Sequence, residues 1–179
     1  MRSHGLGRDV VAVLGTMLLL GVLCGVAWSL LADPAAFTKT ASGGEMSELQ
    51  LGQRFQPDGV YALLAGGVGL VAGLALMAWR RRDPLLTGVL LLVGSAGAAA
   101  LSALVGHVLG PGSTKAGLAA ARTGALVPEP LRVDALPVYL VWPLAVLLGA
   151  FVVLIAGPGE RPQHELSTGS PREHTPVDG

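Results

Sequence analysis

Four stretches of this chain contain no Asp, Glu, Lys or Arg: residues 10–32, 60–79, 85–110 and 136–156. About 20 apolar residues, rising 1.5 Å each in a helix, cross the roughly 30 Å hydrocarbon core of a bilayer, and every one of these stretches is at least that long. All 12 basic and 12 acidic residues lie outside them. A chain crossing lipid must satisfy its backbone internally, so each stretch reads as a helix. Only 13% of residues are charged and mean hydropathy is +0.60, against about a quarter charged in a typical globular domain. The expectation is an all-α membrane protein. It has four transmembrane helices arranged as two antiparallel hairpins, with two outer loops of about 26 residues each.

The turn Arg80-Arg81-Arg82-Asp83-Pro84 orients this arrangement. Basic residues concentrate on the cytoplasmic side of short connections, and carrying one across mid-membrane costs roughly 2.5–3.5 kcal/mol even on a lenient scale. Arg80, Arg81 and Arg82 therefore anchor an N-in/C-in topology in the plasma membrane, with both termini cytoplasmic. Arg2 and Arg8 precede the first apolar run, which is too long for the 7–15-residue core of a signal peptide. Leu20-Gly21-Val22-Leu23-Cys24 has the outline of a lipobox, but Leu23 stands where a small residue belongs. The first segment thus reads as a retained helix. The transmembrane domain is expected over 1–157, and 158–179, polar and without apolar residues to bury, reads as a disordered cytoplasmic tail.

Trp28, Tyr61 and Tyr139 fall near the expected outer ends of helices, with Trp142 a turn deeper and Trp79 at an inner end. This is the pattern of interfacial aromatic belts. Asp83 is placed to cap the third helix with Pro84 at its first position, where a missing N–H costs nothing, so the second and third helices form a closely connected hairpin. Both outer loops end alike, in Arg54…Asp58…Tyr61 and Arg132…Asp134…Tyr139, about 77 residues apart. This spacing suggests two parallel-related hairpins, although any loop-to-helix entry tends to offer Asp and Tyr. Inside the loops, Leu49, Leu51 and Phe55, and Leu131 and Val133, recur at even spacing as in strands. Ser42-Gly43-Gly44-Glu45 instead has the spacing of a capping box opening a short helix, and the alanine-rich run over 115–122 suggests a short interfacial helix.

Within the membrane the clearest pattern is small residues at four-residue spacing: Gly94, Ala98, Ser102 and Gly106 on the third helix, Gly69 and Gly73 on the second, Gly21 and Gly25 on the first. Small residues allow close backbone approach, the main source of helix association in lipid. Ordinary packing inside one bundle is the preferred account, and an oligomer interface the alternative. His107 is an intramembrane polar residue, a candidate for proton relay or ligand contact, but no acidic partner lies in any span. Pro143 removes a backbone donor and predicts a kink in the fourth helix. Signals for catalysis are poor. Ser95 in Gly94-Ser95-Ala96-Gly97 lacks a histidine helix, Ser102 and His107 lie on different helix faces, and no His/Cys/Asp/Glu set has metal spacing. No phosphate-binding glycine loop follows a strand. No cofactor is implied. The formal net charge is zero and no basic aromatic face occurs, so nucleic acid is not an expected partner. The lone Cys24 rules out an intramolecular disulfide and reads as a buried thiol.

Six residues remain that could converge outside the membrane: Arg54, Asp58, Tyr61, Arg132, Asp134 and Tyr139. They form a candidate outer-face site for a lipid headgroup, an envelope precursor or a partner protein, with helix capping and anchoring as the plainer account. Arginine outnumbers lysine ten to two and Ile155 is the lone isoleucine, a bias that fits a GC-rich bacterial genome. The run Phe55-Gln56-Pro57-Asp58-Gly59 into a Gly-rich helix, Trp79-Arg80-Arg81-Arg82, the exit Gly106-His107-Val108-Leu109-Gly110-Pro111-Gly112 and the step Val141-Trp142-Pro143 carry a resemblance. Over about 9–157 the chain resembles a family of small actinobacterial four-helix membrane proteins, a domain of unknown function. That resemblance implies the topology and no activity. The functional expectation is a non-enzymatic accessory or scaffold protein of the envelope, whose partners are the bilayer, other membrane or envelope proteins, or further copies of itself. A small transporter or channel subunit is the alternative.

Overall fold

The computed structural model describes residues 3–80 and 83–156. Four helical stretches are long and apolar enough to cross a membrane: they contain α1 (Ser3–Leu31), α3 (Gln56–Trp79), α4 (Pro84–Leu109), and α6 (Val141–Ala156) together with the 3₁₀ turn that precedes it. This is the architecture of a multi-pass membrane protein. The expected tail at 158–179 and the side chains of Arg81 and Arg82 lie outside the described residues.

Between the spans lie β1 (Ala36–Lys39), β2 (Gly44–Glu45), α2 (Glu48–Gln53), α5 (Thr114–Ala120), β3 (Leu126–Pro128) and a 3₁₀ turn over Leu136–Leu140. All of these sit at one end of the bundle, the loop end. The opposite, turn end carries the Arg80–Asp83 connection. There the Asp83 carboxylate accepts from the Leu86 N–H at 3.1 Å, with Pro84 opening α4 as its missing donor allows. Arg80 pairs with Asp9 of α1 and lies 5.7 Å from the Trp79 ring centroid.

Consecutive spans run antiparallel, yet the closest packing joins alternate ones. α1 packs most extensively on α4, and α3 on α6, whereas the hairpin neighbours α3 and α4 touch little. The small residues explain the choice. An added Cβ at Gly21 would stand 2.8 Å from the Ala98 carbonyl oxygen, and one at Gly94 2.9 Å from Met17 Cγ. Gly25 faces the Ser102 carbonyl, Gly106 the Trp28 ring, and Gly69 the Trp142 carbonyl and Ala145. Gly73 lies on the Val146 backbone and Gly149 on the Leu70 carbonyl. Every stripe noted in the sequence is therefore spent inside the bundle, where lipid offers no hydrophobic drive and contact must come from close approach. Across these parallel pairs Met17 meets Gly94, Gly21 meets Ala98, Gly25 meets Ser102 and Gly69 meets Val146, all at the separation of 77 that also links Asp58 to Ala135.

The two long loops are one structure. β1 pairs antiparallel with β2 across a turn at Gly43, and with β3 from the other loop, giving the order β2-β1-β3. Gly43 has φ +152°, a value open to glycine. Leu118 of α5 touches Gly44, and Val127 of β3 touches Gly117 of α5. The strands thus fall where the even-spacing pattern did not put them. Residues 49–55 form helix α2 and a turn, because the Ser47 side chain caps α2 at the Gln50 N–H and Gln50 reaches back to the Ala36 N–H at 2.7 Å. Leu131 and Val133 alternate in a segment that pairs with no strand among the described residues, with Leu131 buried and Val133 against the core. Ser42 lies in the hairpin turn and does not cap a helix. Pro143 does not bend a helix either: it falls in the first turn of α6, which begins where the 3₁₀ turn ends, so its missing donor is harmless.

Candidate functional site

The loop-end cap is held to the bundle by Asp58, in the first turn of α3, where a carboxylate suits the helix dipole. It is 8% exposed, and its two oxygens accept the Asp134 N–H at 3.2 Å and the Ala135 N–H at 3.0 Å. The carboxylate of one loop's exit thus organises the other loop's exit, and Asp58 is occupied by the fold itself. Gln56 Oε1 accepts the Asp33 N–H at 2.8 Å, tying in the end of α1.

Below Asp58 the aromatic residues are buried, contrary to the belt expected for them. Trp28 and Tyr61 are 0% exposed and meet edge to face with centroids 5.3 Å apart, a favoured aromatic geometry. Trp28 Nε1 donates to the Pro57 carbonyl at 2.8 Å. The Tyr61 hydroxyl donates to the Ala99 carbonyl at 2.9 Å and accepts from Ser102 Oγ at 3.0 Å. A belt position needs lipid headgroups beside the ring; here α1 and α4 close over it, because Gly25 and Ser102 bring them together. The Tyr139 ring lies 6.1 Å from that of Tyr61, tilted 56° to it, and is partly buried. Trp142 is fully buried as well. Of the Trp and Tyr side chains only Trp79 is well exposed, at the turn end, where the belt reading placed it.

Arg54, Arg132 and Asp134 do come together, with a neighbour the sequence did not single out. They line a polar cleft of about 100 Å³ with Pro34, Pro57, Glu129 and Pro130. Arg54 Nε lies 3.4 Å from Glu129 Oε2, and Nη2 3.5 Å from Oε1, a forked pairing that joins the two loops. Glu129 was legible only through the register of β3, since nothing in its local sequence marks it as Arg54's partner. Among the described residues Arg132 and Asp134 have no ion-pair partner. They alternate with the inward Leu131 and Val133 on the same segment, so both present to the cleft. The six candidates thus separate by depth. Tyr61 and Tyr139 belong to the core, Asp58 to the joint, and Arg54, Arg132 and Asp134 to the cleft.

His107 stands apart at the end of α4. Its Nδ1 is 2.8 Å from the Leu131 carbonyl oxygen, which can only accept, so Nδ1 carries the hydrogen and Nε2 is the free position. The ring is exposed and borders a separate depression with Gly110, Gly112 and Ser113. No group of His, Cys, Asp and Glu among the described residues is placed to hold a metal ion. Comparison with family models, with curated proteins and with solved structures finds no match to the chain.

Proposed function

We propose that this chain is a non-enzymatic accessory or scaffold protein of the cell envelope, held in the plasma membrane with both termini cytoplasmic and the loop-end cap outside. One observation carries the reading: α2 and the turn that follows it hold large apolar side chains out of the protein. Gln50 of α2 accepts from the Ala36 N–H of β1, and Arg54 in the turn pairs with Glu129. Around these contacts Leu49 is 83% exposed, Phe55 77% and Leu51 49%. Exposed large apolar side chains on a loop outside the charge-free runs suit a protein partner.

The transporter alternative draws less support, because Pro143 opens a helix and His107 is engaged at the rim. The resemblance to the actinobacterial four-helix family fits either reading, since it brings no activity with it. The test is affinity purification of the full chain in a mild detergent. A stoichiometric membrane or envelope partner that is lost with Leu49→Glu and Phe55→Glu supports the reading. Purification always as a lone monomer overturns it.

A further inference from the structure

The cleft between the loops has the charges, the size and the height of a small-group binding site, and none of its features depends on the accessory reading. We propose that it binds a zwitterion carrying an anionic phosphate or carboxylate and a primary ammonium, the chemistry of a phosphoethanolamine headgroup. Arg54 and Glu129 satisfy one another across the loops. Arg132 and Asp134 line the same cleft and have no ion-pair partner among the described residues. The anion goes to the planar Arg132 guanidinium, which matches phosphate and carboxylate geometry. The ammonium goes to the Asp134 carboxylate. A purely anionic ligand meets Glu129 and Asp134, and a purely cationic one meets the two arginines, so a group bearing both charges is the complement of this wall.

Size narrows the class. Drug-sized ligands need roughly 300 Å³ or more, and about 100 Å³ accommodates a single small polar group. Chemistry narrows it further. Quaternary ammonium groups are recognised by aromatic faces, and this cleft is lined by three prolines and an alanine beside its charged side chains, with no aromatic ring. A primary ammonium, which donates N–H bonds to carboxylates, fits where choline does not. Height gives the source. Pro57 in the cleft wall lies three residues before Val60, about 4.5 Å above the charge-free run, within the 5–7 Å headgroup layer. A lipid headgroup reaches the cleft there without leaving the bilayer, and a free zwitterion of the same chemistry can enter from solution.

The full chain reconstituted in nanodiscs tests this by native mass spectrometry of co-retained lipid and by thermal unfolding. From equal mixtures of phosphatidylethanolamine and phosphatidylcholine, the chain is expected to retain the ethanolamine lipid at least about 5-fold in preference. Arg132→Gln with Asp134→Asn abolishes that preference while unfolding in pure phosphatidylcholine stays unchanged, which separates lost binding from lost folding. Soluble O-phosphoethanolamine added to phosphatidylcholine nanodiscs is the second arm: protection there without lipid retention assigns the site to the free zwitterion. Equal retention of both lipids together with no protection by the soluble compound overturns the proposal, as does a preference that survives the double substitution.

Discussion

Asp58 and Tyr61 sit one helical turn apart and illustrate two different economies of polar burial. Asp58 satisfies two backbone donors of another loop with a charged acceptor; removing it leaves both N–H groups without that partner, at about 1–3 kcal/mol. Tyr61 bonds only a helical carbonyl and a serine hydroxyl, and hydrogen bonds between membrane helices average about 0.6 kcal/mol. Asp58→Ala is therefore expected to destabilise the protein clearly more than Tyr61→Phe, as read by reversible unfolding in mixed micelles. The two buried tryptophans make a sharper comparison. Both are fully buried, so Trp→Phe removes the same volume at each. Trp28 Nε1 has the Pro57 carbonyl, while Trp142 Nε1 has no partner among the described residues. Trp28→Phe should cost about 1–3 kcal/mol more than Trp142→Phe, and equal losses would show that Trp142 finds a donor's partner elsewhere.

At the scale of elements, the bundle is decided by which glycines meet backbone. Gly21 and Gly73 admit no methyl group without moving α4 or α6, whereas Gly15 and Gly67 have nothing within 4 Å of an added Cβ. Gly21→Ala and Gly73→Ala are expected to destabilise by about 1–3 kcal/mol through overpacking. Gly15→Ala and Gly67→Ala should be neutral or stabilising, by up to about 1 kcal/mol from helix propensity. Unfolding midpoints of the four variants check this, and similar losses at all four would contradict the alternate-helix packing. The four-residue spacing of these stripes was visible in the sequence. Which helix each stripe would meet was not, since the small faces are alike and only the assembled neighbours distinguish them.

At the scale of the whole molecule, orientation is the quantity to measure. Cys24 is buried, so the native chain offers little background to thiol labelling. Single cysteines at Ser42 or Thr123, in the cap, are expected to react with a membrane-impermeant maleimide on intact cells. A cysteine at Asp83 should react only after the membrane is opened. Labelling of Asp83→Cys on intact cells would invert the proposed topology. The cap itself is a product of this scale, since β1 and β3 are contributed by loops separated by two spans. The local signals misled there: alternation at Leu49, Leu51 and Phe55 reads as a strand, but the Ser47 cap and the Gln50 anchor hold that segment as helix.

Four long apolar helices and the capped turn at Asp83 followed from the order of residues alone, because excluding charge from hydrocarbon is a one-dimensional requirement that each segment meets by itself. The grouping of Arg54, Asp58, Arg132 and Asp134 near one another was also foreseeable from the two similar loop exits. Tertiary structure decided the rest: that α1 chooses α4 and α3 chooses α6, that Trp28 and Tyr61 are core rather than belt, and that Glu129 completes the cleft while Asp58 is consumed holding it. Those outcomes depend on close approach of surfaces and on hydrogen-bond partners distant in sequence, and such contacts exist only once the helices have met.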